Sequence, residues 1–259
     1  MIGKVLHQTW KTKAVPPYFS AWHESFRVCN PQLEMRLYDD ADNRRIVSET
    51  VPQLMELYDS FPREIFRVDM ARVLYLFRDG GLYADLDFQC LQPFTPIFDG
   101  KLQLVLGAMG TDSTHPHSIP NAMMASAPRE IFWLGYLANM DLAWSARRNE
   151  PDIAQRPEAV TGPIVLRSTV QQYLAQPAAL KAQVETFVAK WKLPVDVAAL
   201  AQSSLTLLPG HVWYPLNWID AIHDMFIREM LKEKKIIPLE EAQRMFPRSL
   251  AVTYWAHSW

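Results

Sequence analysis

Gly80-Gly81-Leu82-Tyr83-Ala84-Asp85-Leu86-Asp87-Phe88-Gln89-Cys90 is the stretch that decides how this chain folds. Read as a strand, its side chains alternate between two sides with a period of two residues. The apolar side chains all fall on one side: Leu82, Ala84, Leu86, Phe88 and Cys90. The other side carries Tyr83, Asp85, Asp87 and Gln89. The pattern predicts a mostly buried strand with two carboxylates on one face, about 6.6 Å apart at the rise of a strand.

The two carboxylates, Asp85 and Asp87, predict a cation site. An unpaired charge on a buried strand is costly, and divalent cations prefer carboxylate oxygens as ligands. An Asp-x-Asp pair alone is weak support, because many solvated loops contain one by chance. Here the pair follows Gly80-Gly81, which predict the end of a helix, and it lies within an alternating strand. This placement favours a functional site.

Strands and helices alternate along the rest of the chain. The predicted strands are Lys4–Gln8, Glu34–Tyr38, Leu102–Met109, Asn121–Ser126, Leu205–Leu208 and Leu250–Trp255. The predicted helices are Pro16–Cys29, Asn43–Glu49, Ser60–Asp79, Pro128–Ala146, Thr161–Leu174, Pro177–Lys192, Ile219–Lys235 and Glu240–Phe246. This order, without a break in composition or an internal repeat, predicts one α/β domain over residues 1–259 with a mainly parallel central sheet flanked by helices.

Composition narrows the classes of partner. A net charge of −2, without a long basic run, argues against nucleic acid as the main partner. The two cysteines, Cys29 and Cys90, have no CxxC spacing and favour free thiols in a reducing compartment, although one disulfide stays open. The N-terminus enters a strand without a signal peptide, and no run approaches about 20 apolar residues. We therefore expect a cytoplasmic protein without a transmembrane segment, with peripheral membrane contact left open.

Asp69 and Arg72 stand out in the helix that precedes Gly80. They are three residues apart and share one helix face, yet the residues around them are strongly apolar. Most such pairs are local ion pairs on a solvated surface. Here the apolar neighbours predict a helix that is buried nearly all round, so a solvated surface ion pair is a poorer explanation for these two charges. A guanidinium beside an Asp-x-Asp site suits a phosphate or a pair of sugar hydroxyls.

The segment from Phe66 to Asp87 resembles the sugar-binding "DXD" region of glycosyltransferase family 32. That family includes fungal Golgi mannosyltransferases and bacterial polysaccharide enzymes, and the clostridial glucosylating toxins have a similar Asp, Arg and Asp-x-Asp spacing. Further segments agree with the resemblance: His7-Gln8-Thr9-Trp10, Pro31, Asn121–Ser126, Thr161-Gly162-Pro163, Tyr214-Pro215 and Trp255–Trp259. It therefore runs over nearly the whole chain.

The resemblance implies a GT-A-type nucleotide-sugar-binding fold and a retaining, metal-dependent transfer of a hexose from a UDP- or GDP-sugar to a glycan or glycolipid. The catalytic residues it implies are Asp69, Arg72, Asp85, Asp87 and Asn121. The ligands of Mn²⁺ (or Mg²⁺) it implies are Asp85, Asp87 and His257. The residues it implies for the donor are Gln8, Trp10, Asp69, Arg72, Tyr83, Ser258 and Trp259. The acceptor would be met by Asn121, Thr161 and Gly162.

Several positions keep a plainer alternative. Trp10 is predicted to stack on the nucleobase, but a tryptophan there also fits a core plug. Thr161-Gly162-Pro163 equally fits a helix cap with proline at the first position. His115 and His117 resemble a metal pair, but the polar loop around them favours a surface or acceptor loop. Family members commonly have His-His-Trp where this chain has Thr253-Tyr254-Trp255, so a histidine is missing, and His257 is its candidate replacement.

Two other functions remain open at this point. A metal-dependent phosphohydrolase also uses Asp-x-Asp, although Gln89 stands where that class usually has Thr or Val. A sugar-nucleotide-binding protein with impaired catalysis would fit the departure at Thr253-Tyr254. The sequence identifies neither the sugar, the base nor the acceptor.

Overall fold

The computed structural model describes residues 1–256, and strands alternate with helices along that range. The strands are β1 (Val5–Thr9), β2 (Glu34–Tyr38), β3 (Gly81–Ala84), β4 (Phe88–Cys90), β5 (Leu104–Gly107), β6 (Met123–Ser126), β7 (Leu205–Leu208) and β8 (Ala251–Thr253). The α-helices are α1 (Ser20–Cys29), α2 (Asp40–Thr50), α3 (Met55–Ser60), α4 (Glu64–Asp79), α5 (Thr95–Phe98), α6 (Ile131–Arg147), α7 (Pro163–Ala175), α8 (Pro177–Trp191), α9 (Gly210–Trp213), α10 (Ala221–Glu233) and α11 (Leu239–Met245). Short 3₁₀ helices span Pro17–Phe19, Pro52–Leu54, Ile153–Gln155, Pro157–Ala159 and Val197–Ala199.

Six strands form the central sheet in the order β2-β1-β3-β6-β5-β7. Strand β1 runs parallel to β2 and β3, and β5 runs parallel to β7. Strand β6 lies between β3 and β5 and is antiparallel to both. A separate two-stranded sheet pairs β4 with β8 in the antiparallel sense. The predicted α/β fold with a mainly parallel central sheet flanked by helices is confirmed.

Apolar side chains cover both faces of the central sheet. Tyr83 joins one core, which contains side chains of α4 and α6. Its neighbour Leu82 joins the other core, which contains side chains of α1 and β8. The predicted apolar side of the deciding stretch lies entirely in this second core: Leu82, Ala84, Leu86, Phe88 and Cys90. Burial of both faces explains why the stretch is apolar on one side and carries a large tyrosine on the other.

Glycine allows α4 to turn directly into β3. Gly80 has φ of 66°, and its N–H donates to the carbonyl of Leu76 at 2.9 Å. A Cβ at Gly80 would lie 2.8 Å from the backbone nitrogen of Pro128 and 2.9 Å from the carbonyl oxygen of Ser126. The positive φ and this close approach both exclude other residues. The predicted helix end at Gly80-Gly81 is confirmed.

The prediction of one continuous strand through Cys90 is wrong. Strand β3 ends at Ala84, Leu86 and Asp87 lie in a turn, and β4 begins at Phe88. The N–H of Asp85 still donates to the carbonyl of Ala122 at 2.9 Å, but the N–H of Phe88 donates back to the carbonyl of Asp85 at 3.3 Å and closes the turn. The two carboxylates therefore lie on a turn at the sheet edge, and the strand spacing of about 6.6 Å does not apply to them.

The helix predicted from Ser60 is also misplaced at its start. Ser60 ends α3, and α4 begins only at Glu64. Phe61 between them is extended, with φ −68° and ψ 136°, as expected for a residue that precedes proline. Helices α3, α5 and α9 were not predicted, because segments of four to six residues carry too few turns to show a periodicity.

Candidate active site

A cavity of about 590 Å³ opens at the edge of the central sheet where β1 and β3 end. Trp10 directly follows β1, Asp85 directly follows β3, and Asn121 lies just before the antiparallel β6. The carboxyl ends of parallel strands meet at one edge of a sheet, which is where open α/β folds bind ligands. Helix α4 adds Asp69 and Arg72 to the same wall. The topology thus joins side chains from four separate segments.

Asp69 and Arg72 are a buried pair. Their exposed fractions are 4% and 2%, and Nη2 of Arg72 lies 3.4 Å from Oδ1 of Asp69. Both residues line the cavity. This burial excludes the alternative of a solvated surface ion pair. Because removing charges from water is expensive, a pair in this place requires further polar partners.

Two donors hold the carboxylate of Asp69. Nδ2 of Asn121 donates to Oδ1 at 2.8 Å, and Oγ1 of Thr161 donates to Oδ2 at 2.7 Å. Burial raises the pKa of Asp69, while Arg72 and these two hydrogen bonds favour the ionised form. The carboxylate is therefore fixed in orientation by residues from α4 and from the segments before β6 and α7.

Arg72 lies between the two acidic residues. Its Nη1 donates to the carbonyl of Asn121 at 2.8 Å, and Nη2 lies 3.5 Å from Oδ1 of Asp85. The guanidinium carbon lies 4.6 Å from the centre of the Tyr83 ring, in cation–π geometry. Charge, a backbone carbonyl and an aromatic face together hold the guanidinium of Arg72 in place at the cavity wall.

Asp85 and Asp87 have different surroundings. Oδ1 of Asp85 accepts from the hydroxyl of Tyr83 at 2.7 Å and lies near Arg72. Asp87 is half-buried, and its Oδ2 accepts from the N–H of Ala256 at 2.8 Å. Burial, and then the like charge of Asp85, raise the pKa of Asp87 to about 7. The charge on Asp87 is thus the less compensated of the two.

The carboxylate pair fits a hard divalent cation. Ion pairs among residues 1–256 include Asp85 with Arg72 but none with Asp87. Two carboxylates on a cavity wall offer the oxygen ligands that a hard divalent cation prefers. Over the same residues, no group of three or more His, Cys, Asp and Glu side chains gathers into a fuller ligand shell. The predicted third ligand, His257, lies outside the described residues, as do the predicted donor contacts Ser258 and Trp259.

Trp10 combines both of its sequence interpretations. It is half-buried, packs against the core next to Phe19 with ring centres 5.3 Å apart, and also lines the cavity. Its role as a stacking platform stays a prediction. A smaller cavity of about 130 Å³, beside Asp40, also borders this ring.

Three predicted contact residues lie behind the cavity wall rather than on it. Gln8 is buried, with Oε1 2.6 Å from Nδ1 of His23, and does not line the cavity. Tyr83 is fully buried and holds Asp85, and Thr161 is fully buried and holds Asp69. These three residues are placed to position other side chains. Gly162, by contrast, does reach the cavity, and α7 begins after it at Pro163.

The loop between β5 and β6 places only one of its histidines at the site. His117 lines the cavity, and its ring is perpendicular to that of Trp218, with centres 6.1 Å apart. Burial lowers the pKa of His117. His115 does not line the cavity. The interpretation as an acceptor loop is thus compatible with the structure for His117.

One wall of the cavity was missed by sequence reasoning. It comes from Glu158, Trp218, Trp255 and the helix α10. The residues of α10 that face the cavity are Asp224, Ile227, Arg228 and Leu231. Their spacing of three, four and seven residues marks one helix face. The sequence predicts a helix over Ile219–Lys235, but nothing in it indicated that this face meets a cavity.

Part of the chain is similar in sequence to known glycosyltransferases. Residues 15–103 match the protein family described as "Glycosyltransferase sugar-binding region containing DXD motif". "Inositol phosphoceramide mannosyltransferase 3" of Schizosaccharomyces pombe is 30% identical over 139 residues, which are 54% of this chain and 37% of the relative. "Mannosyl phosphorylinositol ceramide synthase SUR1" of Saccharomyces cerevisiae is 28% identical over 145 residues, 54% of this chain and 35% of the relative. The match therefore spans a little over a third of these relatives.

A solved structure agrees at the level of the fold. The "PaToxG Glycosyltransferase" superposes with a TM-score of 0.51 at 15% identity, covering 96% of this chain and 89% of that one. At this identity the likeness concerns the fold alone, and it confirms the predicted GT-A type. The predicted resemblance to the DXD glycosyltransferases is confirmed as well.

Proposed function

We propose that this chain, whose residues 15–103 match a DXD-containing sugar-binding region of glycosyltransferases, transfers a hexose from a nucleotide-sugar donor to a glycan or glycolipid. We further propose that the transfer depends on a divalent cation and retains the anomeric configuration, as the family resemblance implies. The names of the fungal relatives support mannose as the hexose and a glycolipid as the acceptor.

One observation carries the proposal: a buried Asp69–Arg72–Asp85 network meets the less compensated Asp87 at one cavity. The stability of the fold does not require such a buried charged cluster, because apolar residues of similar volume would cost less free energy to bury. A ligand with hydroxyls and negative charge would satisfy it. A sugar diphosphate offers both groups within one molecule.

Asp69 and Arg72 would orient the sugar and the diphosphate. The carboxylate of Asp69 accepts hydroxyl hydrogens, and the guanidinium of Arg72 donates to phosphate or hydroxyl oxygens. Both side chains are already fixed by Asn121, Thr161 and Tyr83, so little conformational freedom is lost when the donor binds. Asn121 and Gly162, both on the cavity wall, would face the reacting carbon and the acceptor.

Asp85 and Asp87 would hold the cation. When bound, Mn²⁺ or Mg²⁺ supplies positive charge that stabilises the departing nucleoside diphosphate. Thr253 stands where relatives commonly have histidine, and the N–H of the next residue, Tyr254, donates to the carbonyl oxygen of Asp87 at 3.2 Å. Tyr254 is buried and donates to Oε1 of Gln89 at 2.6 Å. The departure from the family pattern thus leaves Asp87 supported rather than blocked.

Two broader predictions of the sequence remain proposals. That residues 1–259 form one domain is supported by the extent of the superposition with a single glycosyltransferase chain. A cytoplasmic location, with or without peripheral membrane contact, also stays a prediction. Among residues 1–256, no helix combines the length and apolar character needed to cross a bilayer.

The proposal is tested by incubating the purified protein with UDP- and GDP-hexoses, with and without Mn²⁺, and measuring release of nucleoside diphosphate. We expect cation-dependent turnover of one donor and its loss in Asp87→Asn. Asp152→Asn is the matched control, because Asp152 is exposed, lies off the cavity and has φ of 60°, which asparagine tolerates. Donor binding that is equally strong without a cation, or unchanged in Asp87→Asn, would refute the metal site. Tight donor binding without turnover would favour the impaired binding protein.

A further inference from the structure

The two cysteines of the chain meet in space although they are 61 residues apart in sequence. Cys29 is the last residue of α1, and Cys90 is the last residue of β4. The thiol of Cys29 donates to the carbonyl oxygen of Cys90 at 3.5 Å, and the thiol of Cys90 donates to the carbonyl oxygen of Gln92 at 3.3 Å. Nδ2 of Asn30 also donates to Sγ of Cys90 at 3.3 Å. Both cysteines are free thiols in this structure.

Only one of the two thiols has access to solvent. Cys29 is half-buried and lines a cavity of about 350 Å³, bounded also by Lys4, Leu33 and Phe98. This cavity shares no residue with the active-site cavity. Cys90 is fully buried. A small reagent that enters the cavity therefore reaches Cys29 first.

The pKa values of the two thiols differ as well, and this difference also favours Cys29 as the thiol that reacts first. The neighbouring side chain of Cys90 lowers the pKa of Cys29, whereas burial raises the pKa of Cys90 well above its ordinary value. Because the thiolate is the nucleophile, Cys29 is the attacking group and Cys90 is placed to resolve the product.

We propose that Cys29 and Cys90 are an oxidation-sensitive dithiol that closes to an intramolecular disulfide on contact with a low-molecular-weight disulfide such as glutathione disulfide. The Cys29 thiolate attacks one glutathione sulfur, forming a mixed disulfide and expelling a glutathione thiolate. Cys90 then attacks Sγ of Cys29, and its proton passes to the departing glutathione thiolate, which leaves as the second glutathione. Overall, two protein thiols are oxidised and one glutathione disulfide is reduced to two glutathione molecules.

The disulfide would link α1 to the strand that follows the metal-binding turn. Cys90 is three residues after Asp87, and its strand β4 pairs with β8, directly after which the N–H of Tyr254 donates to the carbonyl oxygen of Asp87 at 3.2 Å. A cross-link between positions this far apart restricts the unfolded chain, so the oxidised protein should unfold at a higher temperature than the reduced protein. The inference does not depend on the proposed transfer activity.

The test is incubation of the reduced, folded protein with glutathione disulfide, followed by thiol alkylation and intact-mass measurement. We expect the wild type to lose two hydrogen atoms, to retain no alkylatable thiol and to revert with dithiothreitol. Cys90→Ser should keep glutathione on Cys29, whereas Cys29→Ser should remain unmodified.

Three outcomes would overturn the proposal. In the first, the wild type keeps both thiols while folded and reacts only in urea. In the second, glutathione persists on wild-type Cys29 without ring closure. In the third, Cys29→Ser becomes modified at Cys90 as readily as the wild type does at Cys29. Circular dichroism of both serine variants separates these results from a failure to fold.

Discussion

Asp69 is the residue whose surroundings say most about the site. Its two carboxylate oxygens are each taken by a different neutral donor, while Arg72 supplies the opposite charge. A buried carboxylate held in this way keeps one orientation toward the cavity. Thr161, one of the two hydrogen-bond donors to Asp69, belongs to the connection before α7, far from α4 in sequence. Catalytic precision at Asp69 should therefore depend on a residue that does not reach the cavity.

Thr161→Val removes the hydroxyl and keeps the volume of the side chain. A hydrogen bond to a charged group contributes about 1.5–3 kcal/mol, so we expect kcat/KM for donor turnover to fall by about ten- to a hundredfold. Thr161→Ser restores the donor and should recover most of the activity. If Thr161→Val keeps wild-type activity, the hydrogen bond from Thr161 to Asp69 does not matter for turnover and the account is contradicted.

The raised pKa of Asp87 predicts a pH dependence of cation binding. Below about 7 the carboxyl is protonated and is a poor ligand, and above that pH it is ionised. The apparent affinity for Mn²⁺ should therefore rise with pH through about 7 and level off above it, with release of one proton on binding. Titration of Mn²⁺ over a series of pH values measures this, and Asp87→Asn should abolish the dependence. A pH-independent affinity in the wild type would contradict the assignment.

At the scale of elements, the junction of α4 and β3 fixes the site. Gly80 ends the helix that carries Asp69 and Arg72, and only four residues later the chain reaches Ala84 and the turn with the two aspartates. The junction is tight because Gly80 lies against Pro128 and Ser126. Any shift there would move the helix and the turn relative to each other.

Gly80→Ala should be strongly destabilising. The backbone of Gly80, with φ 66° and ψ −157°, lies in a region that only glycine adopts readily and that costs about 1–3 kcal/mol for a residue with a Cβ. The backbone contacts at 2.8 and 2.9 Å add to this cost, so we expect a loss of at least about 2 kcal/mol in the free energy of unfolding. Gly3→Ala is the control, since nothing lies within 4 Å of a Cβ at Gly3. Urea unfolding of both variants checks the difference, and equal losses would contradict the account.

At the scale of the whole molecule, His7 links three parts of the fold. It belongs to β1, its Nε2 lies 2.8 Å from the carbonyl of Gly80, and its Nδ1 lies 3.0 Å from the hydroxyl of Tyr38 in β2. The residue is fully buried, and burial lowers its pKa to about 4. The neutral imidazole is therefore the form that the folded state holds.

This burial predicts that acid destabilises the whole protein through His7. Between pH 6.5 and about 4 the unfolded chain binds a proton at this position and the folded chain does not, so the contribution to stability falls as the pH falls. The expected loss from this residue is about 2 kcal/mol between pH 7 and pH 5. Urea unfolding of the wild type and of His7→Gln at pH 7 and pH 5 isolates the contribution of His7 to the free energy of unfolding. A wild type no more sensitive to pH than His7→Gln would rule it out.

Local sequence pattern alone determined several features of this protein. Short-range features were readable: the strand Glu34–Tyr38, the stop at Gly80-Gly81, the apolar face from Leu82 to Cys90 and the acidic pair at 85 and 87. Each of these features depends only on side-chain periodicity or backbone freedom within a few neighbouring residues, so the sequence alone indicates it.

Only the assembled fold decided the rest. In the fold, the predicted strand ends at Ala84, and Thr161 and Tyr83 lie behind the carboxylates that they contact. One face of α10 lines the cavity, and Cys29 lies next to Cys90. Each of these is a contact between segments distant in sequence. Such contacts are set by how the sheet and its helices pack, because burial on the two faces of the sheet constrains all segments at once and no single segment records the result.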